Sequence, residues 1–279
     1  LIFLTTMNIN SIVKLNNGIS MPVFGLGTYQ SKVGAETRNA VSFALKYGYR
    51  LIDTAAVYGN EADVGAVVKE SGLPREELFI TTKVWNSDQG YYRTLDAFDE
   101  SLRRLDMDYV DLYLIHWPVP NLRRESWKAL EEIYASGRAR SVGVSNYTIR
   151  HIEELLDYSS IIPVVNQVEF SPYLYQEKLM HYCNDNGIAI EAYSPLTRGK
   201  KLRDPRLITI ALKYSKSPAQ LLIRWALQTG TIVIPKSVHA ERIRENAEVF
   251  DFEIRPEDMA ELNTFNENFR PGWDPSDVL

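Results

Sequence analysis

Eight apolar runs recur along this chain, and each is followed by a segment with the pattern of an amphipathic helix. The runs begin near Met21, Tyr49, Leu78, Val110, Ala139, Val164, Ile188 and Thr231. Most are about 25–30 residues apart, the length of a strand and a crossover helix. The last gap is longer because Asp204-Pro205 and Ser217-Pro218 each place a capping side chain before a proline, and so predict two helices.

Near-continuous hydrophobic strands that alternate with helices predict a parallel sheet closed on itself, the (β/α)8 or TIM barrel of the α/β class. The structural alternative is an open, doubly wound sheet, which usually carries a G-x-G-x-x-G turn after its first strand. Here Gly25 and Gly27 give only G-L-G-T, with no third glycine at the required spacing. The barrel is therefore favoured.

Two additions to the barrel are expected. Asn17-Gly18 is typical of the turn of a small N-terminal β-hairpin. An extra C-terminal helix from Pro256 precedes a loop that carries Trp273. We predict a single barrel domain over residues 8–279, with residues 1–7 as an N-terminal extension outside the fold.

Composition limits the classes of function. A net charge of −5 argues against nucleic acid as a partner, because phosphate binding favours a basic face. No apolar run approaches the roughly 20 residues that span a bilayer, so no membrane association is expected. The single cysteine, Cys183, permits no internal disulfide and fits a cytoplasmic protein.

Four of the runs end in residues that can do chemistry. The carboxyl ends of barrel strands meet at one face, where the active sites of such folds lie. A polar cluster there is difficult to explain as packing alone. The residues concerned are Asp53, Tyr58, Lys83, His116, Ser145 and Asn146.

Tyr58, Lys83 and Asp53 form the first candidate group. Taken alone, Tyr58 could simply pack at the barrel mouth. Lys83 ends a buried run and needs an anionic partner, since an unpaired buried ammonium is costly, and Asp53 on the neighbouring strand supplies one. An ammonium held beside the phenol is expected to lower the pKa of Tyr58 towards the working pH and make it a general acid.

His116 is either a core histidine bonded to backbone or a donor that orients a substrate oxygen near Tyr58. The spacing of the other histidines does not converge on it, so no metal site is predicted. No G-x-S-x-G elbow is present, and Ser145 has no histidine nearby in sequence. Some other group must therefore supply the reactive atom.

Seven blocks of this sequence resemble, in order, the signature blocks of the aldo-keto reductases. They are MPVFGLGTY, RLIDTAAVYGNE, DLYLIHWP, GVSNY, NQVEFSPY, EAYSPL and IPKSVHAERIRENA. The resemblance runs from about Ile12 to Pro275. It implies NADPH-dependent reduction of aldehydes and ketones to alcohols by hydride transfer from the nicotinamide.

The resemblance also implies roles for particular residues. Tyr58 would be the general acid, Lys83 and Asp53 the pair that tunes it, and His116 the substrate-orienting donor. The implied cofactor contacts are Gly27, Thr28, Tyr29, Asp53, Ser145, Asn146, Gln167, Tyr193, Ser194, Leu196, Lys236, Ser237, Arg242 and Asn246. Among them Tyr193 would stack on the nicotinamide, and Lys236, Ser237 and Arg242 would hold the 2′-phosphate. The implied substrate contacts are Tyr29, Trp85, His116, Trp117 and Trp273.

Several alternatives stay open at this point. Lys236 and Arg242 could also be ordinary solvated charges at the surface. His239 stands where the family often has a hydroxyl residue, so NADH stays open as a less favoured cofactor. The same barrel could be a non-catalytic dinucleotide-binding redox sensor, or a hydrolase or isomerase that uses Asp53 and His116. Short loops after His116 and Tyr193 indicate an open pocket. A monomer or weak homodimer is expected.

Overall fold

The computed structural model describes residues 7–278. Two antiparallel strands come first, β1 Ile12–Lys14 and β2 Ser20–Pro22. Eight parallel strands follow in one sheet: β3 Gly25–Gly27, β4 Leu51–Asp53, β5 Phe79–Val84, β6 Leu112–Ile115, β7 Val142–Ser145, β8 Val165–Glu169, β9 Ala189–Tyr193 and β10 Ile232–Val233. Each strand pairs with the next along the chain. The predicted TIM barrel is confirmed.

The barrel closes where its first and last strands meet. Single parallel bridges join Phe24 to Val233 and Gly27 to Lys236, in place of a continuous ladder. At the second bridge the Gly27 amide donates to the Pro235 carbonyl at 3.2 Å. A Cβ on Gly27 would lie 2.9 Å from the backbone oxygen of Ile234, so this closure depends on a residue without a side chain.

Ten helices surround the barrel in the described chain: α1 Ala35–Tyr47, α2 Glu61–Glu70, α3 Tyr91–Leu105, α4 Arg123–Ala135, α5 Ile149–Tyr158, α6 Glu177–Asp185, α7 Pro205–Lys213, α8 Pro218–Gln228, α9 Ala240–Ala247 and α10 Pro256–Asn263. The two helices predicted between the seventh and eighth barrel strands are α7 and α8. Asp204 caps the first, and Ser217 with Gln220 forms a capping box on the second. Within residues 7–278, no helix has the length and apolarity to cross a membrane.

The run predicted to start the barrel near Met21 divides in two. Ser20–Pro22 pairs back with β1, whereas the barrel strand is Gly25–Gly27, with Phe24 bridging to Val233. Pro22 has no backbone N–H to donate to a neighbouring strand, which explains the break. Of the predicted extension, residues 1–6 lie outside the described chain, and Met7 packs against the core.

The hairpin fills the amino-terminal end of the barrel. Leu15 and Met21 are buried and pack with interior residues of the strands, among them Leu51, Phe79 and Leu112. The carboxyl ends of the strands remain for a cavity. Cys183 on α6 is fully buried, which agrees with a packing role.

Candidate active site

A cavity of about 620 Å³ opens at the carboxyl ends of the strands. Most of the predicted site residues line it: Gly27, Tyr29, Asp53, Tyr58, Trp85, His116, Trp117, Ser145, Asn146, Gln167, Tyr193, Ser194, Leu196, Lys236 and Trp273. Thr28 and Lys83 are buried behind the wall, and Ser237, Arg242 and Asn246 follow Lys236 beyond it. Sequence reasoning did not find other wall residues, including Gln30, Val57, Arg198 and Gly272.

Tyr58 ends a single 3-10 turn, Ala56–Tyr58, directly after β4. Gly59 follows in the left-handed region at φ 71°, which turns the chain sharply and leaves the phenol at the barrel mouth. The Tyr58 ring centroid is 5.1 Å from that of Tyr29 and 5.7 Å from that of His116. The general acid and the orienting donor inferred from the sequence are therefore neighbours.

Lys83 and Asp53 form a fully buried ion pair beside this ring. Lys83 Nζ lies 2.6 Å from Asp53 Oδ1 and donates to the Thr54 carbonyl at 2.8 Å. The same ammonium is 5.1 Å from the centroid of the Tyr58 ring. The partnership expected between neighbouring strands is present, and Thr54 is an additional partner that the sequence did not indicate.

The pKa of Tyr58 moves opposite to the expected direction. Burial of the phenol raises it well above the ordinary value, and Asp53 adds to the rise. The physical reason is that Asp53 already neutralises the Lys83 charge at contact distance, so little of that charge acts on the phenol. Tyr58 is therefore protonated at neutral pH.

His116 ends the run of β6 and is 8% exposed. Burial lowers the pKa of its imidazole well below the ordinary value, and the positive charge of Lys83 lowers it further. The ring is therefore neutral at pH 7 and carries one proton. Within residues 7–278, Nδ1 is buried without a hydrogen-bond partner.

Ser145, Asn146 and Tyr193 lie next to one another on the same wall. Asn146 Nδ2 donates to the His116 carbonyl at 3.0 Å, and the Tyr193 hydroxyl donates to Asn146 Oδ1 at 2.8 Å. Ser145 Oγ donates to the Gln167 carbonyl at 2.8 Å. Asn146 has a φ of 63°, an uncommon value for a residue with a side chain. The wall is held in a fixed and locally strained arrangement.

Gln167 connects the ion pair to a second buried carboxyl group. Its Nε2 donates to Asp53 Oδ2 at 2.7 Å and to Glu191 Oε2 at 2.8 Å. Burial raises the pKa of Glu191 to about 8, with a further rise from Asp53. Sequence reasoning missed Glu191, although a glutamate inside the apolar run IAIEAY raises the same question as Lys83 does.

Aromatic side chains form the outer rim. Trp85 packs edge-on to His116 with centroids 5.1 Å apart, and Trp117 lies 5.8 Å from Trp273, which is 69% exposed. Arg198 lies over the Tyr29 ring at 5.5 Å from its centroid. The rim is mainly aromatic, carries the Arg198 cation and is open to solvent.

Glu169 lies at the end of β8, near the C-terminal loop. It is 2% exposed, and burial raises the pKa of its carboxyl group to about 7. Arg198 and Arg270 oppose that rise. The loop and the rim therefore meet around a buried carboxyl group that sequence reasoning did not identify.

Lys236 is exposed at the cavity edge and donates to the Gln30 carbonyl at 3.3 Å. Burial lowers the pKa of Lys236, and the negative charge of Glu36 opposes that change. Arg242 is exposed on α9, and Ser237 and Asn246 are buried around the same segment. The residues predicted to hold the adenosine phosphate thus form one short stretch at the outer edge.

Fold and site together define a barrel enzyme that presents proton donors inside an aromatic cavity. A profile of the Aldo/keto reductase family matches residues 23–267. Glyoxal reductase of Bacillus subtilis (strain 168) is 51% identical over 272 residues, covering 98% of this chain and 99% of that protein. The chain belongs to the aldo/keto reductase family, whose reaction is NADPH-dependent carbonyl reduction, and the resemblance and the reaction inferred from the sequence are confirmed.

Solved structures agree with this assignment. An aldo-keto reductase from a Medee basin deep-sea metagenome library is 43% identical, with a TM-score of 0.93 over 96% of this chain and 99% of that one. A Bombyx mori aldo-keto reductase, solved in complex with NADP, is 40% identical, with a TM-score of 0.87 over 93% of this chain and 94% of that one. A nicotinamide dinucleotide is therefore the cofactor of this family.

Proposed function

We propose that this chain reduces small aldehydes and ketones with NADPH in preference to NADH, with Tyr58 as proton donor and His116 as orienting donor. The observation that carries the proposal is the contact between the Tyr58 and His116 rings at the cavity wall, backed by the buried Lys83–Asp53 pair. Two neutral donors converge there on one space, as the reduction of a carbonyl group requires.

The donor set of the wall fits a nicotinamide. A carboxamide needs both an acceptor and a donor, and Ser145, Asn146 and Gln167 offer hydroxyl and amide groups on one side of the cavity. Tyr193 offers an aromatic face for a planar ring. When bound, the reduced dinucleotide supplies the hydride.

Tyr58 and His116 act on the carbonyl oxygen. Negative charge that develops on this oxygen is stabilised by donors already in place, because no reorganisation is needed at the moment of reaction. His116 is neutral and donates a hydrogen bond without giving up its proton. Tyr58 transfers its proton to this oxygen, and the Lys83–Asp53 pair lies beside the ring that becomes the phenolate. The raised pKa of Tyr58 keeps that proton in place until the oxygen becomes basic.

The preference for NADPH rests on charge at the cavity edge. Lys236 and Arg242 are exposed cations on the segment that begins at β10, and Ser237 lies between them in sequence. A 2′-phosphate is negatively charged and can accept charge-assisted hydrogen bonds from both cations. The ribose hydroxyl of NADH carries no such charge. Asn246 on the same segment is proposed as the adenine contact, with Gly27, Thr28, Tyr29, Ser194 and Leu196 along the groove between.

The substrate class follows from the rim. Trp85, Trp117 and the exposed Trp273 surround the opening with apolar surface, which suits small uncharged carbonyl compounds. Glyoxal reductase, at 51% identity, acts on such a compound by its name, and short dicarbonyls are the first substrates to test. A cytoplasmic location, and a monomer or weak homodimer, stay predictions.

The test is a panel of aldehydes, ketones and dicarbonyls assayed with NADPH and NADH. Tyr58→Phe should lower turnover about 100-fold or more, the scale of a missing general acid, and leave NADPH affinity unchanged. Tyr92→Phe is the matched control, because Tyr92 is 78% exposed on α3. Near-normal turnover in Tyr58→Phe would remove Tyr58 from its role, and no oxidation of NADPH with any carbonyl compound would overturn the function.

A further inference from the structure

Gln167 is held by two acidic side chains, one from across the barrel and one from the adjacent strand. Asp53 comes from β4, and Glu191 comes from β9, where it is the register partner of Gln167. Gln167 Nε2 donates to both, at 2.7 and 2.8 Å. Both hydrogens of the amide nitrogen are therefore committed inside the barrel.

This arrangement fixes which end of the amide faces the cavity. An ionised carboxylate only accepts hydrogen bonds, so the amide nitrogen must point to Asp53, and the oxygen must point elsewhere. Gln167 lines the cavity, and Oε1 makes no hydrogen bond within residues 7–278. Without a second acceptor, one amide hydrogen would be free and the side chain could rotate about its single contact to Asp53.

We propose that Glu191 is a positioning residue for the cofactor: it holds Gln167 so that the amide oxygen faces the cavity and accepts from the nicotinamide carboxamide. This inference rests on the proposed function, which places the nicotinamide against the same wall. Glu191 touches neither substrate nor cofactor and acts through Gln167.

The charges around Glu191 are consistent with this role. Asp53 and Glu191 share Gln167, and the neighbouring cation is Lys83, whose ammonium is bonded to Asp53. Tyr58 is the other titratable group that Glu191 influences. A second bare carboxylate would be costly in this interior, and Glu191 Oε1 has no partner within residues 7–278. Glu191 therefore keeps its proton, with a pKa of about 8, and accepts from Gln167 through Oε2.

The test distinguishes the role of Glu191 as a hydrogen-bond acceptor from any role of its charge. Glu191→Gln retains an amide oxygen that can accept from Gln167, and Glu191→Met removes it at similar size. The readout is the Kd for NADPH, from quenching of tryptophan fluorescence without substrate. We expect Glu191→Met to raise this Kd about 5- to 10-fold, the scale of one hydrogen bond, and Glu191→Gln to stay within about 3-fold of wild type. Glu76→Met, at an exposed site, is the control.

A double-mutant cycle guards against a general loss of structure. If Glu191 acts through Gln167, Glu191→Met should add little to the Kd of a Gln167→Met protein. Equal losses in Glu191→Gln and Glu191→Met, additive losses in the cycle, or an unchanged Kd in Glu191→Met would each overturn the inference. Failure of the proposed function has a different signature, since wild type itself would then not bind NADPH or Tyr58→Phe would keep its turnover.

Discussion

The Lys83 ammonium lies 2.6 Å from Asp53 Oδ1, and both side chains are inside the barrel. Taking two charges out of water is costly, and their attraction repays that cost only when the remaining hydrogen bonds are made. Here two further hydrogen bonds are made, by Lys83 to the Thr54 carbonyl and by Gln167 Nε2 to Asp53. The pair is therefore a single unit whose halves do not tolerate separation.

Separating the pair should destabilise the fold. Lys83→Met or Asp53→Asn alone should each lower the free energy of unfolding by about 3–5 kcal/mol, because a bare charge is left in the interior. The double variant should cost much less than the sum, since no charge is stranded. Urea denaturation of the four proteins gives the cycle, and additive losses would show that the two charges do not depend on each other.

Glu191 should make stability fall as the pH rises. Its pKa in the folded chain is about 8 against an ordinary 4.5, so between these pH values the folded state holds a proton that the unfolded state has released. Wild type therefore loses stability across this window, by at most about 1.4 kcal/mol per pH unit. The unfolding free energy of Glu191→Gln minus that of wild type should rise from pH 5 to about pH 8.

Replacing Lys236 and Arg242, the cations at the cavity edge, should affect the affinity for NADPH more than the affinity for NADH. Lys236→Ala with Arg242→Ala should weaken NADPH binding at least about 10-fold and leave NADH nearly unchanged, because only NADPH carries the 2′-phosphate. Arg244→Ala is the control, since Arg244 is an exposed arginine of the same helix that pairs with Glu248. Equal losses for both dinucleotides in titration experiments would contradict the assignment.

Gly27→Ala should weaken the barrel where it closes. The new methyl group would lie 2.9 Å from a backbone oxygen that cannot move aside, and overpacking of this kind costs about 1–3 kcal/mol. Gly272→Ala is the comparison, because its methyl group would meet the Glu169 and Arg198 side chains at 3.2 and 3.4 Å. Thermal unfolding should rank Gly27→Ala as the less stable, and the reverse order would show that the closure tolerates a side chain.

The sequence predicts the barrel well because the strand and helix signals are local. Glycine at the end of α1 and the capping box of α8 fall where their chemistry requires. The sequence also places four site residues at one end of the barrel, because each directly follows or ends an apolar run. They are Asp53, Tyr58, Lys83 and His116. The division of the run after Met21 was missed because its strands carry similar residues and only Pro22 marks the break.

The layer that joins Asp53, Gln167 and Glu191 was not predictable by the same means. Those residues lie on strands far apart in sequence, and their contact depends on how the strands are placed around the closed barrel. The direction of the Tyr58 pKa was wrong for a related reason. The sequence predicts that Lys83 lies near Tyr58. The pKa also depends on how deeply the phenol is buried and how closely Asp53 pairs with Lys83, and only the fold supplies those distances.

Within residues 7–278, the hairpin closes the amino-terminal end of the barrel, so the cavity opens only at the carboxyl ends of the strands. Whatever enters must leave by the same opening. A dinucleotide and a carbonyl compound held there together would share that opening, so an occupant nearer the hairpin could leave only when the other does not block it.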